Sequence, residues 1–532
     1  MTQTILEQWR ETSPDPKISR PLPTGDGVLD SKAFDTVEVD ALFDSINHCQ
    51  TRIGQAVLYR SLCQPLAERS AVLDKQQAFQ EIQDKPDLKQ ALQQLIDQAA
   101  TDEPAFYRLL FGEFLGAFGT SRHEHEIEGF GYLPYRRGIN LLLNAVTNTH
   151  QEALDATDSP YLQTLLTRLQ DFSRSRAHAL MQGPVYISER GIQAKTEHKK
   201  HWSPALIFTP RIFKPVLIGL IALAIWAVLE FFPSQFFNIS ADSVAIGGVF
   251  FFPLLLIYFP IVGGFDRDNA IIPLRDIYRG DADVAQALDT LGQIDELLAL
   301  VQWSDTFASK LTLPELLDAD HHQIELTQAK NPVLAKDNPD YVGNDLQMVK
   351  QRLILITGPN SGGKTAFCKT LTQIQLLAQI GAPIPATRAV MTVADRIFYQ
   401  APEISHLDDG EGRFGAELKR TRDIFIASSK HSLIALDELS EGTTFEEKLE
   451  ASLNVLEGFY RKGCSILLIT HNHQLVDELL KRGMGEARMV EFLPEGPTYK
   501  LIPGISRVSH ADRVAEKVGF SKAHIEKLLQ QP

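Results

Sequence analysis

Residues 353–365 read LILITGPNSGGKT, and the fold of the C-terminal part of the chain is decided there. Leu353 to Thr357 is a short, apolar, β-branched run of the kind that forms a buried parallel strand. Gly358-Pro359-Asn360-Ser361-Gly362-Gly363-Lys364-Thr365 follows directly as G-x-x-x-x-G-K-[ST], and TAFCKTLTQIQLLAQI continues it as a helix. Glycines let backbone N–H groups close around phosphates, Lys364 neutralises β/γ charge, and the Thr365 hydroxyl is suited to ligating Mg²⁺. A strand, phosphate loop and helix in this order predict nucleotide binding.

Two further strands extend the pattern. SLIALDEL, residues 432–439, ends in Asp437-Glu438. Asp437 can hold magnesium directly or through a water, and Glu438 can orient the attacking water and accept its proton. The plainer reading is a pair of solvated acids at a strand end. SILLIT, residues 465–470, is followed by His471, where a side chain sensing the γ-phosphate would sit in a sheet that binds ligand beyond its carboxyl ends. The plainer reading of His471 is a helix-capping or surface histidine. Together the three elements predict an α/β P-loop domain over residues 331–505.

The remainder of the chain is long enough for more than one further unit. At about 150 residues per domain, 532 residues suggest three or four. Hydrophobic residues at 44% and charged residues at 22% exclude global disorder. Fifty-two basic against 67 acidic side chains leave a formal charge of −15, so attraction to a phosphate backbone must come from a local surface. Cys49, Cys63, Cys368 and Cys464 form no C-x-x-C pair, which fits reduced thiols better than a disulfide frame or a zinc site. No secretory signal is legible in MTQTILEQWRETSPDP, and Pro14, Pro16, Pro21 and Pro23 mark residues 1–34 as a loosely held tail. Residues 35–214 and 265–330 read as largely helical from apolar recurrence at three- and four-residue spacing, with GYLPYRRGIN as a break. The ligand-type residues of HEHEIE, 123–128, read as a solvated face, so no metal site other than that for Mg²⁺ is expected.

Between the helical stretches lie two apolar runs, Pro215 to Phe232 with Glu230 as the single charge and Val244 to Gly264 with none. Each is about long enough to cross a hydrocarbon layer as a helix. The expectation is a two-helix transmembrane hairpin over 215–264. Lys195, Lys199, Lys200, Arg211 and Lys214 crowd its approach and no Lys or Arg lies between Lys214 and Arg267, which predicts a membrane location with both flanking parts cytoplasmic. Two core helices of a soluble domain are the alternative.

LILITGPNSGGKT, LIALDELSEGTT and LLITHN, at this spacing, resemble the ATPase domain of the MutS family, a branch of the ABC-type ATPases. Upstream, NPVLAKDNPDYVGNDLQM resembles the family segment before the phosphate loop, with Tyr341 at an aromatic position that stacks on adenine and Asn344 at a following asparagine. VEVDALFDSINHCQTRIGQAVLYRSLCQPLAERSAVLDKQQAFQEI resembles the start of the family's helical core, and LGQIDELLALVQWSDTF the end of its lever helices. ISRVSHADRVAEKVGFSKAHIEKL, within 506–532, resembles the small helical dimerisation segment. No segment resembles the mismatch-reading domain. GEGRFGAELKRTRDIF matches the trans-acting signature at Phe414 and Glu417, but Gly412-Arg413 stands where Ser-Thr is usual, so Arg413 is either a cation directed at the γ-phosphate or a solvated charge. The resemblance implies ATP and Mg²⁺ as cofactors, a homodimer, and nucleotide-driven closure that moves helical arms. Those arms act on branched or distorted DNA by family descent, or, as the alternative, on a protein or lipid partner at a membrane.

Overall fold

The computed structural model describes residues 27–116, 119–120, 122–123, 126–148, 157–200, 204–210, 219–221, 223–225, 227–228, 258, 260–359, 362–402, 412–439, 445–493, 496–506 and 518–529. The chain divides into two units, one containing residues 49–57 and 81–298, the other 19–48, 58–80 and 299–532. Both divide a long-range sequence: segments far apart in the chain come together in each.

The first unit is largely helical, as its apolar periodicity predicts. Its longest described helix within one unit, Pro86–Phe111, buries Leu88, Leu92, Leu95, Ile96, Ala99, Phe106, Leu109 and Leu110, a stripe at three- and four-residue spacing. Two buried carboxylates hold the start of helix Arg52–Cys63. Asp295 accepts the N–H groups of Gln50 (3.1 Å) and Thr51 (2.8 Å) and the Thr51 hydroxyl (2.6 Å). Glu103 accepts the N–H groups of Arg52 and Ile53, each at 2.8 Å. Arg52 and Ile53 are amides that a helix start leaves without intrahelical partners, and the next, Gly54, donates to the Thr51 hydroxyl at 2.8 Å. The approach is close enough to demand glycine at two points: a Cβ on Gly54 would lie 2.1 Å from Asp295 Oδ2, and one on Gly292 would lie 2.5 Å from Val57 Cγ2.

Three local readings of this unit change. GYLPYRRGIN is no break: Gly131, at φ +79°, opens helix Tyr132–Gly138, and Tyr135 is fully buried with its hydroxyl 2.9 Å from that of Tyr278. A three-stranded sheet, Val185–Ser188 flanked by Gly191–Gln193 and Leu206–Phe208, lies in a stretch read as helical. HKKHW, 198–202, reads from the sequence as a cluster that could touch a lipid or nucleic-acid phosphate, but His198 is buried and stacks on Tyr186 with ring centroids 4.1 Å apart, so its ring packs rather than meeting a phosphate.

The transmembrane hairpin is corrected. Among the described residues no helix is long and apolar enough to cross a membrane. Most of 215–264 lies outside the described residues, and the described end of the second run has a different fate. Residues 260–266 begin a helix that continues through a π-helical turn, Arg267–Ile271, into Ile272–Gly280. Gly263 is buried there, and a Cβ on it would lie 2.3 Å from the Phe130 ring. Close packing at this end is thus against protein at Gly263, while Ile261 and Phe265 are exposed, and Asp266, Arg267 and Asp268 follow without a break. The membrane location and the membrane as partner, which rested on that hairpin, fall with it.

In the second unit, a six-stranded sheet is built from β1 (Leu353–Thr357), β2 (Ile397–Gln400), β3 (Leu433–Asp437), β4 (Ser465–Ile469), β5 (Glu486–Leu493) and β6 (Gly496–Pro503). Spatial order is β2-β3-β4-β1-β5-β6, parallel except for the antiparallel β5–β6 pair. Four helices accompany it: α1 (Lys364–Gln379), α2 (Gly412–Ala427), α3 (Phe445–Lys462) and α4 (His473–Lys481). β1 and β4 are buried at every position, which accounts for their unbroken apolar composition. A second sheet of four strands orders Glu315–Leu316, Arg388–Met391, Ile324–Ala329 and Asn344–Met348.

α1 is buried nearly all round, yet it carries Thr370, Thr372, Gln373, Gln375 and Gln379 inside. Each amide has a partner. Gln373 Nε2 donates to Val37 O at 2.7 Å, Gln375 Nε2 to Thr392 O at 3.0 Å, and Gln379 Nε2 to Leu66 O at 2.8 Å. A buried polar network of this kind fixes one packing because any other leaves donors unpaired.

Candidate nucleotide-binding site

β1, β3 and β4 end at the same edge of the sheet, and the residues singled out after each meet there. Gly358 (φ +135°) and Gly363 (φ +82°) occupy backbone regions open to glycine, and a Cβ on Gly362 would press Val490 at 3.0 Å. This lets the loop turn sharply from β1 into α1. Lys364 is 2% exposed, with Nζ donating to Gly358 O at 2.6 Å. Burial lowers its pKa, while Asp437 and Glu438 nearby work against that shift and favour the cation. Asn360 and Ser361 lie outside the described residues.

The Thr365 hydroxyl donates to Asp437 Oδ2 at 3.0 Å, joining the start of α1 to the end of β3. One residue on, Glu438 takes φ +61°, a left-handed conformation that a side chain adopts at a cost of about 1 kcal/mol or more. Its N–H is held by Ile469 O at 3.0 Å, the last residue of β4. Its carboxylate Oε1 lies 3.3 Å from His471 Nε2. Asn472 caps α4 by accepting the Leu475 N–H at 3.0 Å, and His471 is thereby left at the mouth of the site, largely exposed.

Beside Gly363 opens a cavity of about 330 Å³, a volume suited to part of a small-molecule ligand. Tyr341, Asn344, Phe367, Thr370 and Tyr499 are among its lining residues. Burial raises the Tyr341 phenol above its usual range, with Thr370 opposing by a hydrogen bond. Asn344 is buried and engaged with backbone: Nδ2 donates to Tyr499 O at 3.0 Å, and Oδ1 accepts the Leu501 N–H at 2.7 Å. Its part is to hold β6, and with it Tyr499, against the cavity.

Tyr499 was not singled out from the sequence. It has φ +60° and an exposed ring, and a Cβ on Gly363 would stand 3.3 Å from its Cδ1. GPTYKLIP reads as an ordinary strand, and nothing in it marks the tyrosine. Arg413 lies in the first turn of α2, and its side chain is outside the description. Phe414 and Glu417 are half-buried in the same helix, and Glu417 O accepts the Thr421 hydroxyl at 2.8 Å.

The oxygens present suit Mg²⁺. Among the described residues no cluster of three His, Cys, Asp or Glu side chains could hold a metal. The Thr365 hydroxyl and the Asp437 carboxylate are instead two hard donors side by side, the sparse protein set typical of a magnesium ion that keeps waters and phosphate oxygens as its other ligands.

Residues 354–527 match the family model of MutS domain V. DNA mismatch repair protein MutS of Prochlorococcus marinus is 29% identical over 250 residues, 45% of this chain and 27% of that protein. The protein of the same name from Ruminiclostridium cellulolyticum is 34% identical over 194 residues, 35% and 22% of the two chains. Endonuclease MutS2 of Thermus thermophilus is 32% identical over 243 residues, 45% and 31% of the two chains. The likeness thus spans less than a third of each relative. It supports a MutS-type ATPase domain in this part of the chain.

Proposed function

We propose that the chain is an ATP-hydrolysing, MutS-like ATPase that works as a homodimer and couples nucleotide turnover to movement of its helical arms on DNA. The observation that carries the reading is the meeting of Lys364, Thr365, Asp437, Glu438 and His471 at one sheet edge, within the stretch matched to MutS domain V. Phosphate oxygens replace Gly358 O as partners of the Lys364 ammonium, whose burial strengthens that attraction. Tyr341 and Tyr499 offer two aromatic faces to the adenine. Thr365 and Asp437 hold Mg²⁺, which supplies charge neutralisation on the phosphates. Glu438 accepts a proton from the attacking water, and His471 stands close enough to both Glu438 and the mouth of the site to respond to the γ-phosphate.

Arg413 is assigned to the dimer partner's nucleotide, and the segment 506–532 to the dimer contact. DNA as the substrate of the arms is inferred from the mismatch-repair names of the similar proteins. Equilibrium binding of a fluorescent adenine nucleotide tests the core of the reading. Wild-type protein should bind in the presence of Mg²⁺ and Lys364→Ala should lose at least about tenfold in affinity. Equal binding by both would remove the phosphate loop from its role. A DNA titration across salt concentrations tests the arms, since phosphate contacts must weaken steeply as salt rises.

A further inference from the structure

Residues 27–46 form a strap along the second unit. Leu29 makes a parallel bridge to Ile397 at the outer edge of β2, with Ile397 N–H donating to Val28 O at 2.7 Å and Asp30 N–H to Ile397 O at 3.1 Å. Farther along, Val37 O receives the Gln373 amide and Glu38 pairs with Lys369 at 2.7 Å, both on α1. Beyond them the Ser45 hydroxyl donates to Pro332 O at 2.8 Å, in the loop that leads to the base cavity.

One joint of the strap reaches α2. Arg420 grips Asp30 with both terminal nitrogens, Nη1 to Oδ1 at 3.3 Å and Nη2 to Oδ2, and the two side chains are only 11% and 12% exposed. Asp30 Oδ2 also accepts the Ala33 N–H at 3.1 Å, which orients the carboxylate. Next to this joint the Thr421 hydroxyl donates to Gln400 Oε1 at 3.1 Å and Gln400 Nε2 reaches Glu417 O at 3.5 Å, at the end of β2, while the last turns of α2 are anchored by Ile424 in the core and by Phe425 against Phe459. Gln400 is paired with Leu436, the residue before Asp437, so the chain leaves β2 beside the acids of the site. α2 then starts at Gly412, two turns before Arg420.

We propose that Asp30 is a positioning residue for ATP hydrolysis: through its two-pronged bond to Arg420 it fixes α2 at the sheet edge that carries Asp437 and Glu438, and so couples α2 to the strap that also holds α1. The inference rests on the ATPase reading above for its activity readout, though not for its structural one. A bidentate guanidinium–carboxylate pair restricts rotation as well as distance, and in a nearly dry setting it has no equal replacement by water. With the pair gone, the last turns of α2 stay anchored by Ile424 and Phe425, whereas its first turns keep only the Gln400 bonds to Thr421 and Glu417 O among the contacts named and can shift about that anchored end. Nucleotide contacts made by β1 and α1 are untouched by such a shift, whereas groups at the start of α2 are displaced.

The test combines kinetics with hydrogen exchange on the full chain. Asp30→Asn and Arg420→Gln should each lower kcat for ATP by about tenfold or more, with nucleotide affinity changed less than about twofold. The reversed pair, Asp30→Arg with Arg420→Asp, should regain most of the lost rate. Amides in 412–427 should exchange at least about tenfold faster in Asp30→Asn, while those in 364–379 keep their protection. Since removing one partner strands a buried charge, Asp30→Leu with Arg420→Met serves where a single variant does not fold. A folded double variant with wild-type kcat would overturn the proposal, as would equal loss of rate and affinity in step with melting temperature. Should wild-type protein bind no ATP, the proposed function fails, and exchange at 412–427 alone still decides whether the Asp30 link holds α2.

Discussion

Glu438 shows how one residue can be made for its task at the expense of comfort. Its left-handed backbone turns the carboxylate from the end of β3 toward His471, and the Ile469 carbonyl locks that turn in place. Glu438→Gln keeps size and hydrogen bonding but removes the proton acceptor. ATP binding should survive while single-turnover hydrolysis slows by about a hundredfold or more. Undiminished hydrolysis would take the residue out of its role. Asn344 makes a contrasting case. Because its amide is spent on the backbone at Tyr499 and Leu501, Asn344→Ala should act through Tyr499 and raise KM for ATP about tenfold at nearly constant kcat. Steady-state kinetics would separate this from a loss in kcat. Asn344 was singled out in the sequence because its neighbours form a recognisable segment, and it lines the cavity. Its actual work was not, since the partner lies 155 residues away and no local pattern reports such a pairing.

Among elements, β1, α1, β3 and β4 could be read because buried parallel strands and a glycine-rich turn impose strong local composition. Strand order could not, as it depends on which edges meet. The apolar runs at 215–264 misled for a related reason. Length and apolarity describe a segment's composition, and they say nothing of what it lies against. The start of helix Arg52–Cys63 carries a testable consequence. Burial, against opposing hydrogen bonds, raises Asp295 from 3.8 to about 6 and Glu103 from 4.5 to about 7. Both folded values exceed the unfolded ones, so the folded state holds protons that the unfolded chain releases. The stabilisation is complete below about pH 4 and is lost as pH rises through about 6 to 7. Thermal unfolding followed by circular dichroism should show a melting temperature that falls between about pH 4 and pH 7. Asp295→Asn with Glu103→Gln should flatten this fall. A flat wild-type profile would contradict the assignment.

At the scale of the molecule, nucleotide should act unequally on the two units. All the described residues to which phosphate, base and metal are assigned in the proposed function belong to the unit containing 299–532. ATP with Mg²⁺ at about a hundredfold above Kd should therefore stabilise that unit by about 2.7 kcal/mol. Under local opening, slowed hydrogen exchange should appear in β1, β3 and β4 and not in helix Pro86–Phe111. Protection spread evenly over both would mean that the ligand reads the whole chain as one body.

The strap has a practical corollary for anyone who would work with the family-matched part alone. A piece cut at 354 and 527, where the family match runs, would lack Val37 O and Leu66 O for two interior glutamines and would expose the outer rim of β2 to any passing strand. The unit that holds the site is assembled from three separate stretches of the polypeptide, so dissecting this chain calls for rejoining distant pieces rather than trimming the ends.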